Sequence, residues 1–180
     1  MKQERVNLNM LFMNRIKQHN ATNTKIIFDG IEGELLDCIS CDNTQYISCV
    51  LPYITNRKIM KAFSELTGVR ILTNNGIHLN SQIRKKQISV CELWDKNEKT
   101  VVKTLSRGRG RNRTLAHSKI IIGYCSDRKP IWVATGSWNA TENAKNNIEN
   151  MVISYESFFV DAYSTEFDVL WEKSRCKRFK

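Results

Sequence analysis

Along this chain, short apolar runs of strand length alternate with segments of helical spacing, and that alternation limits the possible folds more than any other feature. Strands are expected over Lys25–Asp29, Tyr46–Leu51, Val69–Thr73, Gln87–Trp94, Thr100–Leu105, Leu115–Gly123, Ile131–Gly136 and Ile148–Tyr155. Helical periodicity falls between them, over Ile31–Cys41, Asn56–Leu66, Ser81–Lys86, Ala140–Asn146 and Ser157–Arg175. Pro52 ends the second strand, Gly68 reads as the stop of the helix before it, and Asn74-Asn75-Gly76 is a turn. Asp95–Lys99 reads as a hairpin turn into the strand that follows. The pattern predicts an α/β fold, a mixed sheet flanked by helices on both faces. In the last helix, Phe158, Phe159, Phe167, Leu170 and Trp171 are expected to form a core stripe. No internal repeat is present, and 180 residues suit a single domain. Residues 25–180 are assigned to it; residues 1–24, Asn-rich around Leu8, Leu11, Phe12 and Ile16, are an amphipathic helix or a loosely docked arm.

Charge narrows the partners. Lys and Arg number 28 against 18 Asp and Glu, a formal net charge of +10, which favours a polyanion: nucleic acid or an anionic membrane surface. No apolar run reaches the roughly 18 residues a membrane span needs, so stable membrane insertion is not expected. The first twenty residues lack the apolar core of a signal peptide, and six scattered cysteines fit a reducing compartment, so a cytoplasmic protein is expected. Cys38 and Cys41 form a lone CxxC without the second pair a structural zinc site requires.

Chemistry concentrates in three polar pairs, each two residues apart and in or beside an apolar strand: His117 and Lys119, Ser137 and Asn139, Asn147 and Glu149. Side chains two apart on a strand share a face. Burying His, Lys and Glu beside a run such as Ile120-Ile121-Ile122 costs free energy unless the groups are paired or used. An imidazole, a cation and a carboxylate together suit phosphoryl transfer.

Taken in order, His117-x-Lys119, Gly136-Ser137-x-Asn139 and Asn147-x-Glu149 resemble the phospholipase D superfamily, in particular its short endonucleases with one motif per chain. The order of elements from Lys25 onward is similar as well. The resemblance implies a phospholipase-D-like fold and a metal-independent phosphodiesterase without cofactor. His117 would attack phosphorus and form a phosphohistidine. The same histidine from a second copy in a homodimer would protonate the leaving oxygen and then activate water. Lys119 and Asn139, with Ser137, would bind the non-bridging oxygens, and Glu149 would accept from the other ring nitrogen of His117. Two departures stand out: Tyr124 occupies the position of the family's Asp, with Asp127 three residues on, and the interval from Asn139 to Glu149 is about one residue short.

Arg107, Arg109, Arg111 and Arg113 alternate with Gly108, Gly110 and Asn112 just ahead of the His117 motif. Glycines let a backbone approach and arginines hold phosphates without reading sequence, so the loop is expected to track nucleic acid. Trp138 is open between stacking on a base and filling the core. His19 and His78 lack such company and read as surface or structural. The function implied is an endonuclease on DNA or RNA. Its rivals are a phosphodiesterase for a phospholipid of the cardiolipin type, which would need an apolar patch near the site, and a non-catalytic nucleic-acid-binding member of the same family.

Overall fold

The computed structural model describes residues 23–74, 100–105 and 117–174. Residues 1–22 of the N-terminal arm, the elements expected between 75 and 99, and the arginine loop at 107–113 lie outside the described residues. Seven strands form one sheet: β1 (Thr24–Ile27), β2 (Tyr46–Val50), β3 (Gly68–Thr73), β4 (Thr100–Thr104), β5 (Ile120–Tyr124), β6 (Pro130–Gly136) and β7 (Met151–Ser154). Their order is β1-β7-β6-β5-β2-β3-β4. β2, β3 and β4 run parallel, and every other neighbouring pair is antiparallel. The sheet is therefore mixed, as expected. β1 begins at Thr24, inside the sheet.

The central strands explain the apolar runs. β2 and β5 pair from Val50 with Ile120 to Tyr46 with Tyr124, and all five residues of β5 are buried because both faces are covered. On one face, Ile47, Cys49, Ile71, Ile121, Ala134 and Ile153 pack with helices α1 (Ile31–Ile39) and α2 (Arg57–Ser64). On the other, Val50, Leu72, Ile120, Ile122 and Val133 pack against α3 (Ser157–Lys173). The α3 stripe differs from expectation: Val160 and Phe167 are buried and Tyr163, Leu170 and Trp171 partly so, whereas Phe158 is 84% exposed. At about 100° per residue, Phe158 lies roughly 200° round from Val160 and faces water.

Other boundaries shift for local reasons. α2 is capped by Asn56, whose side chain accepts from the amides of Lys58 (3.0 Å) and Ile59 (3.1 Å). It ends at Ser64, and Gly68 opens β3 rather than stopping the helix. The helix expected over 140–146 is only a 3-10 turn at Ala144–Asn146. The Ala140 carbonyl is taken by the amides of Thr55 (2.7 Å) and Asn56 (2.9 Å) instead of a helical turn. β5 starts at Ile120, so His117 and Lys119 lead into the ladder from outside it.

The register gathers the motifs at one end of the sheet. Val50 pairs with Ile120, Ile120 with Thr135, and Gly136 with Met151, so the entries to β5 and β7 lie beside the exits of β2 and β6.

Candidate active site

The site is built where β6 leaves the sheet and β5 and β7 enter it. Past Gly136 the β6–β7 pairing continues for one more residue: the Ser137 amide donates to the Asn150 carbonyl at 3.0 Å, and the Asn150 amide donates to Ser137 Oγ at 3.0 Å. Gly136 is required by this approach, because a Cβ there would overlap the Asn150 carbonyl and lie 2.8 Å from the Cα of Met151. Ser137 Oγ in turn donates to Glu149 Oε2, and Asn147 Nδ2 donates to Glu149 Oε1 at 3.2 Å. Both carboxylate oxygens are thus held by the motif's own neighbours.

Across from this clamp stands Lys119, 6% exposed, its Nζ 3.2 Å from Nδ1 of His117. Burial holds the Lys119 ammonium below its ordinary pKa, while the negative charge of Glu149 acts in the opposite direction. The imidazole itself is exposed. An exposed imidazole against a poorly solvated cation can meet an anion from solution, and the ammonium gains a partner when it does.

Asn139 sits on a segment docked by Ala140 against Ile54–Asn56. Its Oδ1 is buried and, among the described residues, has no hydrogen-bond partner. An unpaired buried amide oxygen costs about 1–3 kcal/mol, so such an atom in a folded chain calls for a partner or a role. Trp138, between these two residues, is 3% exposed and part of the core on the α1 and α2 side. Of the two readings the sequence left open, the structure selects core: Trp138 offers no open face for a base to stack on. The expected contact between Glu149 and His117 is also not made; Glu149 instead accepts from Ser137 and Asn147.

Tyr124, at the position of the family's Asp, ends β5 at the far side of the sheet. It is 5% exposed, and its hydroxyl lies 3.2 Å from Ser164 Oγ on α3. Asp127 is exposed in the β5–β6 turn and does not take over that buried place. Cys38 packs on α1 with Sγ 3.4 Å from the Tyr155 hydroxyl, and Cys41 is exposed. Among the described residues, no three His, Cys, Asp or Glu side chains converge as metal ligands would.

Sequence reasoning missed what borders the cluster. Ile148, between Asn147 and Glu149, is 78% exposed, and Phe28 at the end of β1 is 40% exposed. A cleft of about 150 Å³ lies between Phe28 and Glu149, with Lys145 on its edge. Only the tertiary structure joins Phe28 to Glu149; the one local signal was the Asp29-Gly30 turn that closes the first strand.

The model of the cardiolipin synthase, phospholipase D-like domain matches residues 38–171, which contain every part of this cluster. The chain belongs to the phospholipase D-like family. Among curated protein sequences, none matches. Solved structures agree on the family fold. NucT from Helicobacter pylori superposes with a TM-score of 0.68 at 18% identity, over 86% of this chain and 98% of its own. Nuc from Salmonella typhimurium, a phospholipase D family member, gives 0.61 at 18% identity, over 86% and 97%. TrmBL2, an archaeal chromatin protein, gives 0.53 at 16% identity, over 94% of this chain and 60% of its own. At these identities the likeness is one of fold. Within the described residues no helix is long and apolar enough to cross a membrane.

Proposed function

We propose that this protein is a metal-independent endonuclease that cleaves DNA or RNA through a phosphohistidine, as a cytoplasmic homodimer with one shared site. The observation that carries this reading is the exposed His117 ring against the buried Lys119 ammonium, beside the clamp of Ser137, Glu149 and Asn147.

In the free protein Lys119 donates toward Nδ1 of His117. A phosphodiester entering the site offers Lys119 a better acceptor in its non-bridging oxygens and frees the imidazole lone pair for phosphorus. Asn139 joins Lys119 there by donating from its amide Nδ2 to those oxygens. A nitrogen–phosphorus bond forms, the phosphorus–oxygen bond to the leaving group breaks, and the histidine of a second copy delivers the proton. Water activated by that second histidine then releases the phosphate monoester. Glu149 keeps Lys119 charged in its buried position and orients Ser137. Because one imidazole must attack as a base while the other donates a proton, the rate is expected to be bell-shaped in pH.

Nucleic acid is favoured as the substrate by the net charge of +10 and the four arginines ahead of the motif. That TrmBL2 is a chromatin protein with its own mode of DNA binding is consistent with this choice. A phospholipid is the second reading, and what favours it is the exposure of Ile148 and Phe28 at the site. Two separate side chains make a small apolar surface, so the lipid reading ranks behind.

The test is cleavage of single- and double-stranded DNA and RNA, and of cardiolipin in vesicles, in excess EDTA, by wild type and His117→Ala. Nucleic-acid cleavage that survives EDTA and vanishes in the variant is expected. Turnover of cardiolipin alone would transfer the chemistry to the lipid, and activity abolished by EDTA would refute the metal-free mechanism.

A further inference from the structure

The cleft beside Glu149 has a composition that fits one kind of ligand. β1 ends at Ile27, and Gly30, in the left-handed conformation at φ +69°, turns the chain into α1. The turn leaves Phe28 on the rim, partly exposed, while the buried Trp138 lines the interior. Lys145, exposed on the 3-10 turn, stands at the edge. Glu149 and Asn147 belong both to this cleft and to the catalytic cluster, so the two share a wall.

Three carboxylates, Asp29, Glu32 and Glu149, line the same cleft. With Glu32 paired to Lys58 (2.7 Å) and Lys145 at the edge, the lining stays only weakly acidic, which gives a second phosphate little to bind, and an acyl chain would have to strip water from these groups without giving anything back. An uncharged ring with a donating edge suits both the aromatic rim and the acidic lining, and a space of about 150 Å³ is of single-ring scale. We propose that this cleft is a base subsite: the base of the nucleotide flanking the scissile phosphate stacks on Phe28 while its phosphate lies at His117 and Lys119. The inference rests on the nuclease reading above and adds to it a preference for single strands or unpaired ends, because a base must leave its helix to enter.

The experiment pairs a substrate change with a side-chain change. A single-stranded oligonucleotide and a matched strand with abasic sites are cleaved in EDTA by wild type, Phe28→Ala and Phe28→Trp. On the normal strand Phe28→Ala should lower kcat/KM about tenfold, within the range of one lost base stack, and Phe28→Trp should restore it. On the abasic strand wild type should already show that loss, and Phe28→Ala should add none. Equal effects of Phe28→Ala on both strands, or no effect on either, would overturn the subsite and leave the nuclease reading intact. If wild type cuts neither strand, the nuclease reading fails. Fluorescence anisotropy of the same two strands on the folded protein then decides the subsite by itself, and equal affinities would reject it. Weaker binding of Phe28→Ala to cardiolipin vesicles, with unchanged oligonucleotide binding, would assign Phe28 to a lipid and overturn the proposal.

Discussion

The two ends of the sheet hold polar groups of similar kinds in opposite states. At the end away from His117 a larger cleft, about 560 Å³, is lined by Arg70, Tyr124, Arg128 and Asp168 among others. There Arg70 Nη1 lies 3.0 Å from Asp168 and its Nε donates to Ser48 Oγ at 3.0 Å. Its guanidinium also sits 4.9 Å from the Phe167 ring. Tyr124 reaches Ser164, and Arg128 lies 4.7 Å over the ring of Tyr46. At the His117 end the space is smaller, but Lys119 is desolvated and the buried Oδ1 of Asn139 has no partner among the described residues. Size therefore does not single out the proposed site. Groups whose interactions are complete hold the fold, whereas the desolvated Lys119 ammonium is open to an anion and the Asn139 Oδ1 to a donor.

The strongest way to break this comparison is His117→Ala. Cleavage should fall at least about 10⁴-fold, the scale seen when a nucleophile is removed. Unfolding free energy should change by less than about 0.5 kcal/mol, because the ring is exposed. Activity assays and denaturant unfolding on the same preparation check both.

Lys119→Met probes the desolvated cation. Turnover should drop by about 10²–10³-fold through loss of charge stabilisation, with no loss of stability near neutral pH. The pH dependence has a definite sign. Because the folded pKa of Lys119 lies below its ordinary 10.5, the unfolded chain binds this proton more strongly, and the buried charge weakens the fold below the folded pKa. That penalty is relieved as pH rises from the folded pKa toward 10.5. Any stability advantage of Lys119→Met should therefore be largest near neutral pH and shrink as pH approaches 10.5, as read by denaturant unfolding along a pH series.

Gly136→Ala acts through the backbone. Its Cβ would push the Asn150 carbonyl away and carry Glu149 off Ser137. A stability loss of about 1–3 kcal/mol is expected, together with reduced cleavage, which thermal melts and rate assays would measure.

The smallest effect belongs to the other end. Tyr124→Phe removes one hydroxyl contact to Ser164 and should cost no more than about 1 kcal/mol, with kcat unchanged. A large fall in kcat would mean that the position of the family's Asp is coupled to the site after all.

How much of this was legible in the sequence follows from range. β2, β5 and α3 could be read because burial on both faces, or along one helical stripe, writes itself into local periodicity. The polar pairs could be read because His117, Lys119 and Glu149 contradict the apolar runs beside them. What failed depended on partners distant in sequence. The segment from Ala140 gives its carbonyl to Thr55 and Asn56 rather than to a helix. Trp138 is drawn into a core made by α1 and α2. Phe28 and Ile148 look like ordinary strand residues until the fold leaves them at the rim of the site.

The central claim is that His117 is the nucleophile, and the most direct measurement is mass mapping of the covalent intermediate. Wild type mixed with a single-stranded oligonucleotide in excess EDTA would be quenched in alkali, which preserves phosphohistidine, then digested and sequenced by mass. The account predicts a nucleotidyl-phosphate adduct on His117, absent in His117→Ala. An adduct on another residue, or cleavage that proceeds with no adduct and survives His117→Ala, would contradict it.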